Sequence, residues 1–182
     1  MTSSQSYHHG DLRRALLAAA AEAMAESGPA ALSLRDLARR AGVSHAAPAH
    51  HFGDKAGLLT ALATQGFELL AEALRRAGDD FRESGVAYVC FAVRHRAHFE
   101  VMFRPDLHRA DDPGLTAARE RAGELLRLGV ARHTGRGPDV DALAAWSIVH
   151  GFATLWLAGA LPDRVGPDPE TAARTVVGRL FP

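Results

Sequence analysis

The stretch from Ser33 to Leu59, SLRDLARRAGVSHAAPAHHFGDKAGLL, decides the fold. Ser33 is a helix N-cap residue, and Asp36 three positions on has the spacing of a capping-box partner. Leu34, Leu37 and Ala38 fall at i, i+3 and i+4, which is one apolar face of a short helix. Gly42 ends that helix, because glycine takes the left-handed conformation a helix C-terminus often needs. Val43, the lone apolar residue of the turn, plugs the gap to the next helix. Ser44 then reads as the cap of a second helix from His45 to Phe52, with Pro48 near its first turn, where a missing amide costs least. Asp54 caps a third helix. The layout is a helix-turn-helix, whose second helix enters the DNA major groove by its N-terminal residues.

The DNA contacts expected from this layout are Arg35, Ser44, His45, Ala46, Ala47, Ala49, His50 and Lys55. His45 and His50 can donate to a phosphate or a base edge, while Ala46, Ala47 and Ala49 offer methyl contact, for example to thymine. The recognition helix holds no Arg, Asn or Gln for a bidentate base contact. Sequence discrimination is therefore expected to rest on few hydrogen bonds and on DNA shape. Lys55, the only lysine of the chain, stands at the first position of its helix, where a cation opposes the helix dipole. A phosphate bound at that helix end would explain it; a solvated surface lysine is the plainer reading. His51 and Phe52 read as packing residues.

These residues resemble the DNA-binding domain of TetR/AcrR-type transcriptional regulators. The family pattern runs from R-D-[LI]-A-x-x-A-G-V-S through Y-x-[HY]-F to x-x-K-x-x-L. Arg35, Asp36, Leu37, Ala38, Ala41, Gly42, Val43, Ser44, His51, Phe52, Lys55 and Leu58 match it in order and without a gap. Ala49 stands where the family usually has a phosphate-contacting Tyr. A second, shorter resemblance lies in Trp146-Ser147-Ile148-Val149-His150-Gly151, similar to the W-x-x-x-H-G signature of the regulatory domain in one subgroup. The resemblance implies a non-enzymatic, ligand-responsive regulator that needs no cofactor. It implies a homodimer on a palindromic double-stranded operator, a small-molecule effector, and no membrane partner.

The rest of the chain agrees with an all-α protein. Its 182 residues, 47% hydrophobic and 23% charged, suit a soluble globular chain. No apolar leader stands at the N-terminus, and the single Cys90 allows no internal disulfide, so a cytoplasmic location is expected. The net charge is zero. Residues 1–55 carry six Lys/Arg against five Asp/Glu, a modest electrostatic footprint. Five histidines there (His8, His9, His45, His50 and His51) can charge near a polyanion.

Residues 1–9 read as a polar arm. Asp11–Ser27 reads as a first helix with a stripe of Leu12, Leu16, Ala20, Ala23 and Met24, ended by Gly28-Pro29. A long helix follows from Asp54 to about Ala77, broken by Gly78. Gly85–Phe103 reads as a buried helix with a break near Arg96–His98, followed by a loop over 106–114 and a helix from Leu115 to His133. Asp139–Leu161 is apolar nearly all round, which calls for burial by its own domain and by a second subunit. Asp139, Asp141 and His150 argue against a membrane span. Glu170–Phe181 forms a last helix with Ala173, Val176, Val177 and Leu180 on a stripe.

The expected organisation is thus a three-helix helix-turn-helix domain over 1–55, joined by a long helix to a ligand-binding and dimerisation domain over 56–182. The helices at 139–161 and 170–181 are the expected dimer contacts. Candidate ligand residues are Tyr88, Phe91, His95, Phe99, Met102, Phe103, Trp146 and His150, although an aromatic stripe is more often core than binding site. The favoured function is a repressor released from its operator by a small, largely apolar ligand. The rival readings are a small helical enzyme, a metal- or haem-binding module, and a TetR-like protein with weakened DNA binding. His95 and His98 have ligand spacing for a metal, but no Cys pair or H-E-x-x-H pattern supports one.

Overall fold

The computed structural model describes residues 3–134 and 138–180, and all regular structure among them is helical. The helices are α1 (Ser3–Ala31), α2 (Leu34–Arg40), α3 (Ala47–Phe52), α4 (Lys55–Ala77), α5 (Phe81–Arg94), α6 (Arg96–Met102), α7 (Pro113–Thr134), α8 (Pro138–Leu157) and α9 (Pro169–Leu180), with a 3-10 turn at Asp163–Val165. The contacts group into two compact units. Unit 1 is residues 1–66 with 97–116, and unit 2 is 67–96 with 117–182. The chain passes from the first to the second within α4, so the change comes later than the expected boundary at 55.

Unit 1 is built on α1, α2 and α3, with α2 packed against both others. Leu16, Ala20, Met24, Leu37, Leu58 and Leu62 are buried there, each large side chain contributing about 1.5–3 kcal/mol by leaving water. α1 extends further than expected, from Ser3, because extending a formed helix adds one hydrogen bond per residue fixed. The expected arm at 1–9 is thus helical from Ser3, while Met1 and Thr2 lie outside the described residues. At the other end Gly28 leaves helical geometry, with φ 73° and ψ 172°, at the expected break.

The segment 97–116 joins unit 1 because the first half of α4 receives it. His98 Nε2 and Gln65 Oε1 are 3.0 Å apart, and the Arg109 amide donates to Thr60 Oγ1 over 3.0 Å. Gly66 faces Met102 so closely that a Cβ there would lie 2.5 Å from Sδ.

Unit 2 centres on α5, which packs against α8 and α9. Phe81, Val130, Ala142 and Ala145 form one buried cluster, and Val149, Ala173 and Val177 are also buried. α5 starts at Phe81, earlier than expected, because the Asp80 carboxylate accepts from the amides of Arg82 and Glu83. The break after it falls at His95, with φ −118° and ψ 45°, one residue before the expected site.

α7 also starts earlier than the sequence suggested. Pro113 opens it instead of closing a loop, since proline suits the first helical position and Asp112 Oδ1 accepts the Leu115 amide over 2.9 Å. α8 stops at Leu157, not Leu161. Gly159 takes φ 64°, and the amides of Gly159 and Ala160 return to the carbonyls of Trp156 and Leu155 in a Schellman motif. The expected stop at 135–137 and the final residue Phe181 lie outside the described residues.

Glycine at 57 is required by space. A Cβ there would lie 2.0 Å from the backbone oxygen of Phe52. Gly57→Ala is expected to destabilise the protein by about 2–3 kcal/mol. Gly123→Ala, where a Cβ meets only the tip of Arg127 at 3.5 Å, should instead stabilise by about 0.5–1 kcal/mol. Urea unfolding of the two variants checks the opposite signs.

Candidate DNA interface and ligand-binding unit

The end of α2 is closed by a second Schellman motif. Gly42, at φ 65°, donates to Arg39 O over 3.3 Å, and Val43 donates to Ala38 O over 3.0 Å. Val43 is half-buried in the turn that follows. Ser33 Oγ accepts the Asp36 amide over 3.1 Å, as expected of an N-cap. The Asp36 carboxylate does not close a capping box but pairs with Arg39 and Arg40, which hold it below the usual carboxylate range.

α3 is shorter than the sequence suggested, Ala47–Phe52 with Ala46 as N-cap and no side-chain cap. Pro48 is the cause. A helix capped by Ser44 would make its first α-type bond from the amide of residue 48, which proline lacks. The Ala47 amide bonds Ser44 O instead, over 3.0 Å, and the α ladder begins with His50 to Ala46. Pro48 and Phe52 are buried and anchor α3 to the unit.

Ser44, His45, Ala46, Ala49 and His50 are exposed and Ala47 is half-buried, so the predicted contact residues of this segment are open to solvent in whole or in part. His50 stacks edge-on with His51, ring centroids 5.6 Å apart. Arg13 lies 5.4 Å over the Phe52 ring, a cation–π contact that gives it a structural role.

Arg39 and Arg40 are engaged by Asp36, and Arg40 also by Glu26. Arg35 is exposed and has no ion pair among the described residues. Lys55 donates to the Ala30 carbonyl over 3.1 Å. It thereby ties the last turn of α1 to the start of α4, with further ammonium donors left over.

Asp54 performs a role the sequence only half revealed. Its Oδ1 accepts the Gly57 amide over 2.8 Å, the expected cap, while Oδ2 accepts from Arg109 over 2.9 Å. The Gly57 amide and then the Arg109 charge hold this carboxyl below the usual range. Arg109 escaped sequence reasoning because it lies 55 positions away with no periodicity to connect the two.

The candidate ligand residues divide between the units. Phe99, Met102 and Phe103 belong to unit 1, where Phe99 and Phe103 meet edge to face at 5.2 Å and Met102 packs on Gly66. Tyr88, Phe91, His95, Trp146 and His150 belong to unit 2. Trp146 Nε1 donates to the Tyr88 hydroxyl over 3.0 Å, and that oxygen lies 2.9 Å from His150 Nδ1. The indole can only donate, so the phenol oxygen accepts from Trp146, and the direction of the Tyr88–His150 bond follows the imidazole tautomer.

Burial pushes the Tyr88 phenol far above its usual range, and burial lowers His150. Phe91 and His95 pair at 5.4 Å, and both line a separate cleft of about 360 Å³ with Cys90 and Arg94. His95 is lowered by burial and then by the Arg94 charge. Glu83 and Glu170, also in that lining, carry no signal in the sequence, since only the packing of α9 on α5 brings them together. No cluster of three His, Cys, Asp or Glu able to hold a metal occurs among the described residues.

A helix-turn-helix with an open recognition segment, joined by one unbroken helix to a second helical unit, defines the class of helical DNA-binding regulators. Residues 16–62 match the bacterial regulatory proteins of the tetR family, and residues 81–180 match the tetracyclin repressor-like C-terminal domain. The chain belongs to the TetR family and is a non-enzymatic DNA-binding transcriptional regulator.

A solved structure of a protein of unknown function from Rhodococcus sp. RHA1 is similar at 34% identity and TM-score 0.80, covering 98% of this chain and 97% of that one. The TetR family regulator PfmR from Thermus thermophilus is similar at 25% identity and TM-score 0.70, covering 91% and 96%. AibR, solved with isovaleryl coenzyme A and operator DNA, shares the fold at 21% identity and TM-score 0.70, covering 94% and 98%. No match was found among curated proteins.

The neutral imidazoles of unit 2 set a pH dependence. The folded state holds His150 and His95 below their ordinary value of 6.5, so the unfolded chain takes up protons first on acidification. Stability is therefore fully present above about pH 6.5 and falls as pH drops through that value toward the folded ones. Thermal melts between about pH 8 and pH 5 should show the decline, and His150→Gln should flatten it. Tyr88→Phe, which removes both bonds of the phenol, should cost about 1–3 kcal/mol at about pH 8.

Proposed function

We propose that this regulator is a repressor that binds a palindromic operator as a homodimer and leaves it when a small, largely apolar molecule occupies unit 2. Unit 1 is the DNA-binding part in this reading, and unit 2 the effector and dimerisation part. Ser44, His45, Ala46, Ala47, Ala49 and His50 face the major groove, while Arg35 and the remaining donors of Lys55 take backbone phosphates. The observation that carries the DNA reading is the open α3 segment, whose exposed residues are held outward by buried Pro48 and Phe52.

The homodimer is proposed from α8 and α9. Val140, Leu143 and Leu155 of α8 are 76%, 58% and 47% exposed. The sequence alone called for burial on all sides of this helix, yet one chain buries only part of it. Asp139–Leu157 is also long and apolar enough to cross a membrane, the one such helix among the described residues. A second copy explains the open face better, because the opposite face is packed in the core of unit 2 and two acids begin the helix.

The effector region is proposed among Tyr88, Phe91, His95, Trp146 and His150. α4 runs without interruption through both units. A ligand with unequal affinity for two positions of that helix can therefore change the separation of the two recognition segments. AibR, solved in complex with isovaleryl coenzyme A and operator DNA, supports the coarser part of this reading, that the shared fold takes both a small-molecule effector and DNA.

Selection from a random duplex pool at low salt should enrich a palindrome, and anisotropy should then give an affinity well above that for random DNA. Failure to enrich any sequence would favour a regulator with weakened DNA binding, the reading that Ala49 motivates. Ala49 is exposed, so Ala49→Tyr is expected to fold normally and to raise operator affinity about five- to tenfold, the yield of one added hydrogen bond. Sedimentation without detergent should give a dimer for the native chain and a monomer for Leu143→Glu/Leu155→Glu. Flotation of the native chain with lipid vesicles would overturn the dimer reading of α8.

A further inference from the structure

The cleft in unit 2 lies among α4, α5 and the first turn of α9, and its lining combines apolar and charged groups. Leu69, Val86 and Phe91 supply hydrocarbon surface within a volume of about 360 Å³, the lower end of the range for small-molecule sites. The charged groups are not equivalent. Glu72 pairs with Arg75 and Arg76, and Glu83 and Glu170 both pair with Arg174. Asp168, just outside, is held by the amide of Thr171 over 2.8 Å.

Arg94 is the one lining arginine without a carboxylate partner among the described residues. The lining itself carries two arginines, Arg76 and Arg94, and three glutamates; Arg75 and Arg174, outside the lining, complete the pairs of those glutamates, so Arg94 is the guanidinium left over. His95 beside Arg94 adds hydrogen-bonding capacity and no second charge, since burial and that same guanidinium favour its neutral form.

We propose that this cleft binds a small amphipathic carboxylate, with its anionic head on Arg94 and its hydrocarbon against Leu69, Val86 and Phe91. A guanidinium presents paired N–H donors that match a carboxylate, and an acid held there places its chain beside the apolar lining. A cationic amphiphile would meet the unpaired guanidinium instead, because each acid of the lining already has an arginine. The proposal rests on the regulator reading for what binding does to the operator, and not for whether binding occurs.

Cys90 makes the site directly observable. It is the only cysteine of the chain, it lines this cleft, and it is half-buried. Burial and then the Glu170 charge raise its thiol, so alkylation should be slow enough to follow. The experiment is maleimide labelling of the full-length protein at about pH 8, where a raised thiol still supplies some thiolate. It is read by mass spectrometry with butanoate, hexanoate or octanoate present. Octanol and octylammonium serve as the uncharged and cationic counterparts.

Octanoate should protect Cys90 saturably, with a half-protecting concentration about fifteenfold below that of hexanoate, from about fourfold per methylene buried. Neither counterpart should protect at the same concentration. Arg94→Gln, a change at an exposed position, should weaken octanoate protection at least about tenfold, as expected on losing a charge-assisted pair. Arg94→Lys should restore part of it. No protection by any acid, equal protection by octanol or octylammonium, or unchanged protection in Arg94→Gln would each overturn the proposal. Operator release is measured separately by anisotropy. Protection of Cys90 in a protein that selects no operator would uphold the site while removing the regulatory reading.

Discussion

The carboxylate of Asp54 holds three segments of unit 1 at one point. One oxygen closes the amide end of α4, the other takes the guanidinium of Arg109, and the residue itself follows the last turn of α3 by a single glycine. An exposed pair of this kind contributes little to stability by itself. Its effect is geometric, since α3 is only six residues long and cannot hold an orientation alone. The end of α3, the start of α4 and the segment around Arg109 are fixed together, and the close approach of Gly57 to the Phe52 carbonyl leaves the turn little room to shift.

Much of this was legible in the sequence because it rests on local chemistry. Ser33, Gly42, Asp54 and Gly78 mark helix ends by capping or by positive φ, and each does so in the structure. The apolar stripe of α1 and the family pattern from Arg35 to Leu58 depend on spacing within a few turns. Legibility ends where two rules compete at one residue. Ser44 has the chemistry of a cap, but Pro48 removes the bond that would make it one. Pro113 has the character of a loop residue, yet with Asp112 before it the proline becomes a helix start. Gly159 is obscured by the apolar run that continues beyond it.

The sites were less legible than the fold for a different reason. Residue type and periodicity single out Tyr88, Trp146 and His150, which do meet, because two of them lie one turn apart on α8 and all are aromatic. The same criteria also select Phe99, Met102 and Phe103, since the break read near Arg96–His98 marks a helix end but not that the chain changes unit at residue 97. Arg109 in the Asp54 contact, and Glu170 in the cleft, come from distant parts of the chain and carry no pattern of their own. A helical protein hides such meetings in its packing, whereas its helix ends are written in single residues.

The interleaving of the two units has a consequence for how the chain is made. Unit 1 needs residues 97–116 to complete its contacts, and unit 2 needs both 67–96 and 117–182. Neither unit can be released whole by one cut, and neither is complete as a continuous stretch leaving the ribosome. The first three helices can form early, but the part that reads DNA is finished only after a stretch of its neighbour has been synthesised. Contacts between distant segments slow folding relative to a chain of purely local helices. During translation the nascent helix-turn-helix must therefore wait for Arg109 before Asp54 acquires its second partner.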